Sequence, residues 1–212
     1  MIDGLRNHSQ IKLIHNRWSP TVAGSLAVKV MRAHVKELYG EELSEEIILL
    51  SEVASNTHIC WQAEIIGKKV GGEFFLKSLD ILYNTTFSGH QVIKSFGPKI
   101  PSPKEISIVE DHPEFGDGQF VLLHRKNAKS KTALWFYQNG YVYPMNLTYR
   151  EYLGKLCETR GIAWWQLFFC DFKDDIDNLE LHKMRMKSIF EAMTILFPNT
   201  DYTYYREVLA KL

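Results

Sequence analysis

The sequence predicts an α+β fold, a curved and mainly antiparallel sheet of about five to six strands with helices packed around it. Three observations carry that expectation. Short β-branched and aromatic runs separated by turn residues crowd into residues 57–145. Within them, Asn139-Gly140 is the strongest hairpin signal, because a type I′ turn needs positive φ at both of its central positions. On either side, residues 1–55 and 147–212 carry apolar residues at helical spacing, so the 212 residues read as one domain with helical ends.

The first predicted helix occupies residues 19–40. Ser19 or Thr21 caps it, Pro20 suits its first turn, and Gly40 supplies the left-handed residue after it. Val22, Leu26, Val30, Val35 and Leu38 form its apolar stripe. A shorter helix over 41–54 follows, with glutamates near its favourable N-terminal end. The pattern then changes to THICWQAEIIGKKVGGEFFL, a hairpin with Gly67, Gly71 and Gly72 read as turn glycines. LDILYNTTF fits either a strand or a short helix, and GPKIPSP, residues 97–103, breaks the chain before the central meander.

The meander consists of EISIVEDH, GQFVLLHR, TALWFYQ and YVYPM. Its loop KNAKSK, residues 126–131, has no glycine cradle for phosphate, and its lysines guard sheet edges. Beyond the sheet, LTYREYLGKLCETRG is a helix with Gly161 after its last turn. WWQLFFCDF is a buried helix or a wall against the sheet. DDIDNLELHKMRMKSIFEAMTILFP is a long helix capped by Asp174 or Asp175 and stopped by Pro198, and DYTYYREVLAKL is a last short one.

Bulk composition narrows the function. Apolar residues at 45% and aromatics at 13% exclude a disordered chain. A formal charge of zero argues against a nucleic-acid or anionic-membrane binder, although residues 1–40 lean basic and 41–110 acidic. Cys60, Cys157 and Cys170 form no C-x-x-C pair and read as free thiols in a reducing compartment. With no signal-type apolar run at the N-terminus and no stretch near the ~20 residues of a membrane span, the expected location is cytoplasmic.

The histidines and charged clusters are where catalytic or metal chemistry would reside. The histidines form neither H-x-x-x-H nor H-E-x-x-H, and His112-Pro113-Glu114 lacks the P-C-x-x-C half of a zinc deaminase site. The acids at 171–177 place Lys173 at a ligand position of a calcium loop and fit helix capping better. No metal site or cofactor is therefore expected. Glu110, Asp111, Glu114 and Asp117 gather at one end of the meander. With His124 they loosely match a metal-dependent nuclease or hydrolase core, in which Asp111, Asp117 and His124 would act together. The short acid-x-basic signature of such nucleases is missing, and acids before glycine are ordinary turn chemistry.

Read as a block, VEDHPEFGDGQFVLLH, TALWFYQNGYVYP and LTYREYLGKLCETRG resemble the SUKH superfamily, which includes Smi/Knr-type cell-wall regulators, Syd and bacterial toxin-immunity proteins. The matching features are the Gly116-Asp117-Gly118 turn, the strands at Trp135 to Tyr137 and Tyr141 to Tyr143, and the helical Tyr152-Leu153 pair. Upstream, IGKKVGGEFFL is similar to the family's glycine-marked strand. The resemblance implies a non-catalytic α+β protein that binds a protein partner, in the bacterial members a cognate toxin. From the residues themselves, Trp135, Tyr137, Tyr141 and Tyr143 alternate along their strands, so one sheet face could display several rings that join Glu110, Asp111, Glu114 and Asp117 as the partner-binding surface; the same rings could instead pack on the C-terminal helices, or divide between the two faces according to register. A homodimer through the aromatic C-terminal segment is the blander alternative.

Overall fold

A computed structural model describes residues 1–17, 57–77, 94–97, 100–102, 105–116, 118–125, 130–131, 133–172 and 174–212, with isolated positions between them. The predicted helices over 19–40 and 41–54, the segment LDILYNTTF and most of the 126–131 loop lie largely outside these residues, as do Asp117 and Lys173.

The architecture is α+β, and the sheet is larger than the five to six strands expected: eight strands, mixed in direction. In chain order they are β1 (Ile11–Arg17), β2 (His58–Ile65), β3 (Lys68–Leu76), β4 (Lys94–Ser95), β5 (Ile106–Asp111), β6 (Gln119–His124), β7 (Leu134–Gln138) and β8 (Tyr141–Met145). Their order across the sheet is β1-β2-β3-β5-β6-β7-β8-β4, and only the β4–β8 pair is parallel. Strand β1 falls in the region expected to be helical. Its Ile11 and Leu13 alternate with exposed residues and pack on the core, the period of a half-buried strand.

Among the described residues, the helices with defined bounds are α1 (Ile2–Arg6), α2 (Tyr149–Thr159), α3 (Leu179–Leu196) and α4 (Thr203–Ala210), with a 3-10 turn at Trp165–Phe169. They share one core with the sheet face that carries Trp61, Phe74, Val121, Phe136 and Tyr143. The opposite face bears a smaller cluster of Ile106, Ile108, Leu122, Trp135, Tyr137 and Val142, on which Phe87 packs.

Local chemistry fixes several boundaries. Thr148 accepts from the Glu151 N–H while the Glu151 side chain returns to the Thr148 N–H, a reciprocal cap that starts α2. Thr148→Ala is expected to lower stability by about 1 kcal/mol, read from urea unfolding midpoints. Asn139 and Gly140 both have positive φ, as the hairpin signal requires, and Ile66 and Gly67 make the same kind of turn between β2 and β3. Gly71 and Gly72 are not turn residues but lie inside β3. A Cβ at Gly72 would come within 2.4 Å of the Trp61 indole, and one at Gly71 within 2.8 Å of the Phe115 ring. The start of α3 also differs from expectation: Asn178 is the N-cap residue, and Asp175 is turned inward to other partners.

Candidate functional site

The sheet forks between β3 and β5. These strands pair only at Phe75–Asp111 and Leu76–Glu110, after which residues 112–116 turn away and β3 continues without its neighbour. Part of that exposed edge is taken by residues 161–163, where the Glu73 N–H bonds to the Gly161 carbonyl at 2.8 Å and the Ala163 N–H to the Gly71 carbonyl at 2.9 Å. Polar side chains collect in the fork.

Glu73, fully buried, is the knot on one side. One carboxylate oxygen lies 2.9 Å from His58 Nε2, and the other accepts the N–H groups of Glu114 and Phe115 at 2.8 and 2.9 Å. It thereby pins the 112–116 turn onto β3. On the other side, Glu110 is equally buried and faces the helices, although its neighbours Ile106 and Ile108 face the smaller cluster. The reason is a bulge between Ile108 and Glu110, which reverses the alternation and aims the carboxylate at α2. There Tyr152 donates to it at 2.5 Å, and His112 Nε2 lies 3.1 Å away.

Burial opposes a charge on His112, but Glu110, and behind it Glu73 and Asp111, outweigh that and hold the imidazole above the ordinary histidine range. Burial and the Glu110 charge push the Tyr152 phenol well up, so it stays a hydrogen-bond donor. Cys60, beside Glu73, is pushed up to about 12 by burial and then by Glu73 and Glu114. Its thiol, like that of Cys170, is therefore held protonated, whereas Cys157 is exposed. Native protein treated with iodoacetamide at neutral pH should gain one label, at Cys157, and two more only after unfolding, as read by mass spectrometry.

Of the residues expected to form a partner surface, Asp117 lies outside the described residues and the others do not lie together on one. Glu110 is buried, Asp111 is bound to Lys77 at 2.5 Å, and Glu114, half-exposed, lies 3.2 Å from His15. The aromatic face is corrected as well. Gln138 pairs with Tyr141 across the two-residue turn, so Trp135 faces Pro144 and Tyr137 faces Val142, while Tyr143 lies across from Phe136. Trp135 and Tyr137 therefore enter the small cluster, and Tyr143 and Tyr141 the main core side, with Trp135, Tyr137 and Tyr143 buried. A hairpin with a two-residue turn always opposes odd to even positions in this way, so the Asn-Gly signal already held this information.

Of the expected acid–histidine combination, Asp111 and His124 are likewise apart, and Asp117 lies outside the described residues. Asp111 and His124 stand at opposite ends of the β5–β6 pairing, where His124 lies across from Ile106, about 15 Å along the strand. Among the described residues, no group of three or more His, Cys, Asp and Glu side chains is placed to hold a metal ion.

Two features escaped the sequence. One is a second buried network in which Tyr143 donates to Asp175 at 2.6 Å, Asn178 donates to it at 3.1 Å, and His182 Nε2 lies 3.2 Å from it. The other is a groove of about 310 Å³ along the open edge of β3. Phe115 forms one wall, Ile189 and Ala192 of α3 the other, and Val70, Gly71 and Trp164 line the rest. Trp164 holds φ at +71°, a left-handed conformation that bulky residues rarely adopt, and the Arg185 guanidinium lies 3.9 Å over its ring. Ile66, 82% exposed, borders an adjoining pocket. No described helix is long and apolar enough to cross a membrane. Comparison with protein families, curated proteins and solved structures finds no match to this chain.

Proposed function

We propose that the chain is a non-catalytic protein-binding module, which docks a partner at the groove between β3 and α3 and masks part of that partner's surface. The observation that carries this reading is the partly buried Trp164, held in a strained left-handed conformation at the edge of an open apolar groove and covered by Arg185. Tryptophan and arginine dominate the energetics of protein interfaces, and strain of this kind persists where the surrounding fold enforces it. The buried acids support the same reading from the other side. Glu73, Glu110 and Asp175 are each engaged by side chains or backbone of their own fold. A bacterial immunity or regulatory protein, whose partner is a toxin, is the form this function takes if the SUKH-like pattern of the meander reflects common descent.

The test uses the partner recovered by affinity purification on the wild-type chain and identified by mass spectrometry. Its Kd is then compared for wild type and Trp164→Gly, a variant whose backbone prefers the left-handed conformation and which removes the ring. A loss of about 30-fold is expected, the size of a ~2 kcal/mol interface anchor. Equal affinity for both proteins would place the docking surface elsewhere.

A further inference from the structure

We propose that the groove takes its partner as an added β-strand: an extended, acidic segment pairs with the open edge of β3 at Lys69 and Gly71. This rests on the protein-binding reading above and specifies how the partner is held.

The backbone polarity of β3 supplies the argument. Groups on alternate residues of a strand point to the same side. The Gly71 carbonyl and the Glu73 N–H point outward, to residues 161–163, and the Lys77 N–H points outward to Val109 on β5. By the same alternation, the Gly71 N–H and both the N–H and the carbonyl of Lys69 point outward too. Among the described residues, none of these three groups has a partner. The internal strand that would satisfy them stops at Trp164, whose left-handed φ diverts the chain into the 3-10 turn at Trp165–Phe169. Among the described residues, the edge is thus begun by the protein's own chain and left unfinished.

The groove runs along this edge and reaches both sides of it. Phe115, packed against Gly71, stands on one face of the sheet, and Ile189 and Ala192 stand on the other. An added strand would send alternate side chains toward each wall, the arrangement by which strand addition gains specificity. Lys68 and Lys69, both exposed, occupy the edge itself, with Arg185 above Trp164. Edge lysines discourage indiscriminate strand pairing. A segment bearing carboxylates neutralises them, which makes acidity the entry requirement. Glu64 offsets Lys69 only from the far side, across the β2 pairing, and Glu191 lies on the α3 side.

The experiment pans the full chain against a random linear peptide library displayed on phage, and the enriched consensus is synthesised. The expected consensus is acidic with alternating β-branched or aromatic residues, and its binding slows amide exchange at Lys69 and Gly71. Lys69→Pro should weaken it at least about ten-fold, with circular dichroism and Tm unchanged, because the lost N–H points away from β2 and pairs with no described residue. Lys69→Ala, which keeps the N–H, should weaken it less. A consensus that binds without slowing exchange at Lys69 and Gly71 overturns strand addition and leaves the docking groove standing. A basic consensus overturns the acidic partner, and equal enrichment on wild type and Lys69→Pro overturns the inference as a whole. The partner-affinity comparison with Trp164→Gly separately judges whether the groove binds protein at all.

Discussion

Glu73→Ala should lower the unfolding free energy by about 3–5 kcal/mol, because several hydrogen bonds to one buried acceptor are lost together. The substitution deprives His58 and the Glu114 and Phe115 N–H groups of their acceptor at once, at a carboxylate that is itself fully buried. For a protein of this size a loss of that magnitude moves Tm by roughly 10 °C. Glu73→Gln keeps an oxygen for the turn but replaces the second oxygen, which lies 2.9 Å from His58 Nε2, with an amide, and should fall between wild type and Glu73→Ala. Thermal and urea melts followed by circular dichroism measure both. A loss below about 1 kcal/mol for the alanine variant would mean that the 112–116 turn is held by something else.

The second large effect is expected at Asp175. Asp175→Ala leaves the Tyr143 hydroxyl and His182 buried without their shared acceptor, at a cost of about 3 kcal/mol. The wild-type pH profile should carry the same network. Burial alone would raise the Asp175 carboxyl, but hydrogen bonds from Tyr143, Asn178 and His182 hold it below the usual range. Burial lowers His182 despite Asp175. Both groups are depressed in the folded state, so their stabilisation is complete above their unfolded pKa values and is lost as pH falls through the folded ones.

His112 has the opposite sign. Its pKa is raised, so its contribution is complete below the unfolded value of about 6.5 and fades as pH rises through the folded one. His112→Gln should therefore flatten the alkaline side of the stability curve, and Asp175→Ala the acid side. Equilibrium unfolding across pH separates them. A wild-type curve that rises monotonically with pH through the neutral range would contradict the assignment of charge to His112.

Much of this architecture is written in local pattern. The four meander strands, the Asn139-Gly140 turn, α2 and the long α3 follow from alternation, capping and breaker residues, signals carried within a few positions of each element. What escaped depends on contacts distant in sequence. Gly71 and Gly72 resemble turn glycines until Phe115 and Trp61 are seen to occupy the space a side chain would need. Glu110 keeps step with Ile106 and Ile108 until a single bulge turns it to the other face. The acidic cluster and the aromatic alternation are both real features of the sequence. Register and bulge, neither of them a composition property, send Glu110, Trp135, Tyr137 and Tyr143 inward. The groove was hidden for the same reason, because its walls come from β3, the 112–116 turn and α3, far apart along the chain.

The central claim is that the polar clusters are internal scaffolding and that the edge of β3 beside α3 is the working surface. Amide hydrogen exchange over the whole chain, with and without the identified partner, tests it most directly. The account predicts that protection on binding concentrates at residues 66–71, 162–164 and 184–192. Protection confined to residues 134–145, or to 112–118 with no change along β3, would contradict it.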